Sequence, residues 1–477
     1  MLRWGPVLLV VLLLAAAVGA RQTSWSPAFL APAPEAAPAT AQSPLLPDPP
    51  APAPVAEAVL PGALDPAAVR AAVGQGLRDE DLGPHVVAEV ADLVGSEPVL
   101  TAGRGPVVPA STTKLLTGVA VLSLLPPETR FRTRVVTGAR PGQLVLVGGG
   151  DPLLASEPVG PGAYPERADV VTLAERTAQA LAADQIAGTR PRVRLRYDTS
   201  LFTGPDDNPH WRPDYVGDQI VSRIVPLWVD GGRDDSGWGR VEDPALSAAQ
   251  RFAEALRESG VQVIGTPRPA VADQTAEEVA AVESAPLDQL VQQMVEVSDN
   301  ETAEVLAHHA GLAASGEGSF AAGSVAVADA LTGLGLDVSG DRIHDGSGLS
   351  RKNLISARTL LETVRLAASP EHPELRAVVE GLPVAGFSGS LTTRFVEGPP
   401  AGPGRVRAKT GTLTGVHALA GLVTDAGGDV MAFVLAADRV PADRSLDARE
   451  ALDRVAAGLA GCRCGTAETA GGSGTGG

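Results

Sequence analysis

Lysine is nearly absent from this chain. Only Lys114, Lys352 and Lys409 are lysines, and every other residue among its 38 basic ones is arginine. Together with abundant Ala, Gly and Pro, this bias fits a GC-rich coding background that replaces lysine wherever charge alone is needed. A retained lysine is therefore a candidate for work arginine cannot do, because an amine can give up its proton and a guanidinium cannot. Cysteine is as scarce. Cys462 and Cys464 cannot build a zinc site alone, and no histidine pair stands beside them at ligand spacing. A local or intermolecular disulfide is the plain reading, and no metal or other cofactor is expected. Aromatic residues make up 3% of the 477, so the core must come from Ala, Val and Leu. A net charge of −18 argues against a nucleic-acid binder.

The length suggests more than one domain. Arg3 followed by the apolar run 7–20, ending in Val18-Gly19-Ala20, reads as an export signal. It is short for a membrane span, so it is either cleaved after 1–20 or kept as an N-terminal membrane anchor. Both outcomes put the protein at the outer face of the cytoplasmic membrane, in the cell wall or in the periplasm. Residues 21–64 are Pro/Ala-rich and read as a linker, and 465–477 as a disordered Gly-rich tail. Between them, alternation predicts strands at 84–94, 98–102, 131–136, 144–147 and 192–197, and later at 405–410, 416–424 and 429–437. Helical spacing covers 111–124, 169–183, 244–259, 287–294, 300–313, 319–334, 356–368 and 446–459. Strands at both ends with helices between predict an α/β (α+β) fold in which terminal strands share one sheet across a long excursion. One domain spans 65–137 and 285–464, and 138–284 is an inserted, mainly β domain.

Three motifs carry chemistry. Ser111-Thr112-Thr113-Lys114 opens a predicted helix, where residues three apart share a face, so the Lys114 amine can reach the Ser111 hydroxyl and activate it. A cation at a helix N-terminus near other cations loses its proton more easily. The bland alternative is a serine cap and a surface lysine. Ser298-Asp299-Asn300 offers a hydroxyl that can relay a proton and an amide that can hold a substrate backbone. It also reads as a helix cap, with Glu301 and Glu304 following. Lys409-Thr410-Gly411-Thr412 lies in a strand whose glycine permits close backbone approach, and its cation and hydroxyls can grip a carboxylate. Chance would place about 0.02 Lys-Thr-Gly triplets in so lysine-poor a chain.

The order S-x-x-K, S-D-N, K-T-G is the signature of penicillin-recognising acyl-serine enzymes. With Val147-Gly148-Gly149-Gly150-Asp151-Pro152 and Asp345-Gly346-Ser347-Gly348-Leu349-Ser350-Arg351, the chain resembles the D-Ala-D-Ala carboxypeptidase/endopeptidase family of low-molecular-mass (class C) penicillin-binding proteins over roughly 69–460. The resemblance implies a transpeptidase fold like that of penicillin-binding proteins and β-lactamases, with a five-stranded antiparallel sheet beside a helical cluster. It also implies peptidoglycan stem peptides as substrate and β-lactam antibiotics as inhibitors. Ser111 would be the nucleophile and Lys114 its base, and Ser298 and Lys409 would return a proton to the leaving D-alanine. Asn300 would hold the acyl side chain, and Thr410, Gly411 and Thr412 the terminal carboxylate. The oxyanion hole would be the N–H groups of Ser111 and Thr412, a contact worth about 3 kcal/mol. Ser347, Gly348, Leu349 and Arg351 would line the acyl-donor side, or form an ordinary glycine loop. Fuller members of the family carry two inserted domains, and the step from Ser111 to Ser298 is too short for both, so one is expected here with the second lost or reduced.

The rivals are weaker. A β-lactamase shares the motifs but does not usually accommodate so long an insertion, and no segment equivalent to the deacylating glutamate of its class A form is evident. A non-catalytic wall-binding or scaffolding protein would have let Lys114 and Lys409 drift to arginine. A Ser-His-Asp hydrolase lacks its G-x-S-x-G, and His308-His309 reads as packing.

Overall fold

In the computed structural model, residues 62–95, 97–183, 190–396 and 400–466 are described, all within one unit, Val59–Gly477. The export-signal expectation, nearly all of the linker and most of the glycine-rich tail lie outside those residues. Among the described residues, no helix is long and apolar enough to cross a membrane.

The chain enters through α1 (Pro66–Val73), started by Asp65, whose carboxylate accepts the Ala67 N–H. Strands β1 (Val86–Asp92) and β2 (Leu100–Ala102) follow, then helix α2 (Thr113–Leu124). The excursion holds β3 (Arg132–Thr137), β4 (Gln143–Val147), α3 (Val170–Ala183), β5 (Arg192–Asp198), α4 (Pro244–Glu258), β6 (Gln262–Val263), β7 (Arg268–Pro269) and β8 (Glu278–Glu283). A helical run returns, with α5 (Leu287–Val297), α6 (Asn300–Ser315), α7 (Phe320–Gly333), α8 (Ala357–Ala368) and the short α9 (Ala377–Glu380). Strands β9 (Val406–Leu413), β10 (Val416–Thr424) and β11 (Val430–Ala437) and helix α10 (Ser445–Gly461) close the chain.

The terminal strands do share one antiparallel sheet, ordered β2-β1-β11-β10-β9, with Val90 opposite Phe433 at its centre. Both its faces are buried, so alternate side chains enter two cores. On β11, Ala432, Val434 and Ala436 face the helical cluster of α2, α5, α6 and α8. Met431, Phe433 and Leu435 face α1 and α10 instead. β9 is the sheet's outer strand; 383–385 bond its first half, from Val406 to Ala408, and leave the second half of that edge for the site.

The second sheet runs β6-β5-β4-β3-β8. β3, assigned from sequence to the flanking 65–137 segment, pairs here with β4 and β8. The β4–β5 and β5–β6 pairs are parallel, and parallel neighbours need a crossover, which a helix commonly supplies. The region expected to be mainly β therefore also carries α3 and α4, packed on one face of its sheet. Leu64 and Gly465, expected in linker and tail, instead bridge one another, and the Asp65 N–H reaches Cys464 O at 2.7 Å. Cys462 and Cys464 form the local disulfide.

One buried ion pair ties α10 to the loop beside β9. Arg394 Nε donates to Asp453 Oδ2 at 3.1 Å, with the two side chains only 8% and 9% exposed. Breaking a buried pair leaves a charge stranded without a partner, which costs about 3–5 kcal/mol. Arg394→Met should lower the thermal midpoint clearly, and Arg394→Met/Asp453→Leu should recover most of the loss in the same calorimetric scan.

Candidate active site

The turn before α2 is where the first motif becomes geometry. Ala110 sits at φ 47°, a conformation that costs energy for a residue with a Cβ. Thr112 Oγ1 bonds Pro109 O at 2.8 Å and Thr113 Oγ1 bonds Ala110 O at 2.9 Å, so the two threonines hold the turn. Ser111 is thereby relieved of capping, and its half-buried hydroxyl points to Lys114, whose Nζ lies 3.0 Å from Ser111 Oγ. The turn is clamped from two sides. A Cβ on Gly348 would fall 1.9 Å from Ala110 O, and one on Gly411 would fall 2.5 Å from Pro109 O.

Lys114 is fully buried. Its Nζ also contacts Asn300 Oδ1 at 2.8 Å and Ser347 O at 2.7 Å. Both of those oxygens can only accept. A neutral amine would spend its two N–H groups on them and keep its lone pair for the Ser111 hydroxyl proton. Burial pushes Lys114 down to about 8, even though the negative charges of Glu304, Asp345, Asp299 and Glu301 pull the other way. Lys409, equally buried, is held well below the ordinary lysine range by burial and by the charge of Lys114. Burial thus lowers both amines, and the charge of Lys114 disfavours a second one on Lys409.

The second motif satisfies both of its sequence readings, divided among its residues. Asp299 is the cap, its Oδ1 accepting the Thr302 N–H at 2.9 Å. Ser298 ends α5 in the left-handed region, at φ 60°. Among the described residues its hydroxyl has no hydrogen-bond partner, while Asn300 turns to Lys114. In the third motif, Lys409 Nζ donates to Thr410 O at 3.1 Å and Thr410 Oγ1 lies 2.9 Å from Ser390 Oγ. Thr412 stands exposed near the end of β9.

The fourth segment corrects the sequence expectation. Leu349 is 6% exposed and packs with Trp211, Val305 and Phe320. Ser347 is fully buried, and its Oγ accepts the Leu349 N–H. Neither side chain lines a cleft, because the loop contributes backbone: Ser347 O holds Lys114, and Gly348 presses on the turn before Ser111. Arg351 is exposed and donates to Thr414 O, linking the loop to the chain just past β9.

Several supports were not legible as motifs. Glu304, fully buried, accepts the N–H groups of Gly346 at 3.1 Å and Ser347 at 2.8 Å. Burial and the nearby charge of Asp345 push it up to about 8. Asp345 accepts from Gly348 N at 2.9 Å, Ser350 N at 2.6 Å and the Trp211 indole at 2.8 Å. Arg240, also from the excursion, forms a buried pair with Glu301 at 2.7 Å. The sequence placed Asp345 in the glycine segment and Glu301 and Glu304 after a helix cap without assigning them these contacts, and it gave no sign of Trp211 or Arg240. His308 and His309 are packing residues, as expected. His309 stacks on Phe131 with ring centroids 3.6 Å apart, and burial pushes it to about 4. Among the described residues no cluster of His, Cys, Asp and Glu is arranged to hold a metal.

The family described as D-Ala-D-Ala carboxypeptidase 3 (S13) matches residues 69–235 and 234–459. The chain belongs to this family. A carboxypeptidase of Mycobacterium tuberculosis is 36% identical over 409 residues, covering 84% of this chain and 85% of that protein. A D-alanyl-D-alanine carboxypeptidase of an Actinomadura species is 30% identical over 414 residues, 72% of this chain and 76% of that one. The crystal structure of penicillin-binding protein 4 from Haemophilus influenzae superposes with a TM-score of 0.62 at 21% identity, covering 83% of this chain and 98% of that one. That likeness fixes the fold as the penicillin-binding-protein type. The S13 chain is thus a D-Ala-D-Ala carboxypeptidase of the serine class.

If Lys114 is the base, its neutral form must accumulate before Ser111 can be deprotonated. Its amine is held at about 8, so acylation by a fluorescent penicillin should rise with pH and level off above about 8. Lys114→Arg keeps charge and reach but removes the base, and should slow that acylation by about 10²–10⁴-fold. Near-normal labelling of the variant would rule Lys114 out.

Proposed function

We propose that Ser111 attacks the carbonyl carbon of the D-Ala-D-Ala bond of peptidoglycan stem peptides as Lys114 takes its proton. The observation that carries this reading is the 3.0 Å contact between a wholly buried amine and the half-buried hydroxyl. The N–H groups of Ser111 and Thr412 receive the oxyanion as the tetrahedral intermediate forms. Its collapse breaks the C–N bond, and the leaving D-alanine takes a proton through Lys409 and Ser298, whose hydroxyl is otherwise unengaged. Water then cleaves the ester and frees Ser111. Asn300 is anchored to Lys114 through Oδ1, which leaves its Nδ2 for the acyl side chain. Thr410, Gly411 and Thr412 lie on the free edge of β9 and receive the terminal carboxylate. Arg351 borders that side of the cleft.

The same bond occurs in cross-links, so endopeptidase action on cross-linked peptide belongs to the same chemistry. β-Lactams, which carry a reactive amide in place of the scissile one, acylate Ser111 and stay. The excursion, with its own sheet, is an inserted accessory domain. The N-terminal apolar run exports the protein and, if uncleaved, tethers it to the membrane.

Pentapeptide and purified peptidoglycan digested side by side, with products read by mass, test the reading. D-alanine release by the wild-type chain and none by Ser111→Ala are expected. A fluorescent penicillin should leave a label on Ser111 that lasts many minutes. Rapid turnover of the drug would indicate a β-lactamase, and absence of any label a scaffold.

A further inference from the structure

The second sheet has one face packed by helices and one that is not. Val135, Leu146, Val193, Leu195 and Tyr197 point to the packed face. The intervening residues of β5 are Arg192, Arg194 and Arg196, in a strand whose burial alternates until its end. Paired residues in neighbouring strands share a face. Register places Arg134 opposite Val147 on β4, Val145 opposite Arg196 on β5, and Arg196 opposite Arg268 on β7. Five guanidiniums, those of Arg134, Arg192, Arg194, Arg196 and Arg268, therefore stand on one face. Along β5 they recur about every 6.7 Å.

Among the described residues, no carboxylate lies within ion-pair distance of any of the five. The neighbouring acids are engaged. Glu278 and Glu283 pair with Arg132 at the rim, and Asp198 accepts the N–H groups of Ser200 at 2.8 Å and Ala272 at 2.7 Å. Like charges directly opposite each other, as at Arg196 and Arg268, destabilise a sheet. Among the described residues neither guanidinium has a carboxylate partner to offset that repulsion, whereas a bound polyanion would supply one. The whole-chain charge of −18 hides this local surplus.

We propose that this arginine face docks peptidoglycan, gripping the carboxylates that its stem peptides carry while the site on β9 acts on one of them. The proposal rests on the carboxypeptidase reading for its choice of polymer. Guanidinium forks match carboxylates in bidentate geometry, and a row of them favours a polymer bearing many such groups over a single small anion.

The test is co-sedimentation of the full chain with insoluble peptidoglycan stripped of phosphate-containing polymers, across a salt series. Wild-type retention should fall as salt rises. Arg192→Glu/Arg194→Glu/Arg196→Glu should weaken it by at least about tenfold, and Arg192→Gln/Arg194→Gln should do so in the same direction. Penicillin labelling and D-alanine release from soluble pentapeptide should stay at wild-type rates in both variants, while release from the insoluble polymer falls. Those soluble assays judge the catalytic reading separately from the retention assay. Equal retention of wild type and triple variant would overturn the docking surface. So would binding to anionic lipid vesicles or to phosphate polymers with none to the stripped peptidoglycan.

Discussion

Everything at the site depends on keeping one amine, that of Lys114, out of water and almost out of charge. Its nitrogen touches Ser111 from its own helix, Asn300 from a helix that starts 186 residues later, and Ser347 O from a loop 233 residues away. Removing a lysine from solvent favours its neutral form, and four carboxylates oppose that. The balance leaves the amine near neutrality, where the proton transfer proposed for it would be most useful. A more exposed Lys114 would stay charged, and without those carboxylates nearby it would lose its proton too readily to return one.

The scaffold around this nitrogen is built mostly of polar groups turned inward and matched. Asp345 and Glu304 are costly to bury, and that cost is offset by fixing the backbone of 346–350 so that Ser347 O points at Lys114 and Gly348 bears on the turn before Ser111. Two of these braces come from the excursion, since Trp211 holds Asp345 and Arg240 holds Glu301. The excursion is thus coupled to the site through a hydrogen bond and an ion pair at buried positions. A change of either partner would be felt at Asn300 and Lys114 before it was felt at the surface.

Part of the backbone strain lies in the same place. Ala110, next to the first motif, and Ser298, which opens the second, adopt left-handed backbone angles. Each aims a neighbouring side chain where a relaxed backbone would not, and the packed surroundings over-determine both. The arginine face of the second sheet is a different kind of tension, between charges in place of dihedrals.

The sequence alone determined more of this protein than is usual, because its composition strips away coincidence. In a chain with three lysines and three asparagines, Lys114, Asn300 and Lys409 stood out, and apolar periodicity placed nearly every strand and helix that carries them. Those are local properties, set by spacing along a few residues, and a one-dimensional pattern can hold them. What it could not hold was the direction of a side chain after folding. Of the two readings open for Ser347 and Leu349, the cleft side and a plain glycine loop, burial favours the second, while Trp211 and Arg240 gave no sign of bracing the site and Glu304 and Asp345 were read only as part of a cap and of that loop. Burial, register and the sharing of one nitrogen by distant segments come from long-range packing, and only the tertiary structure decides them.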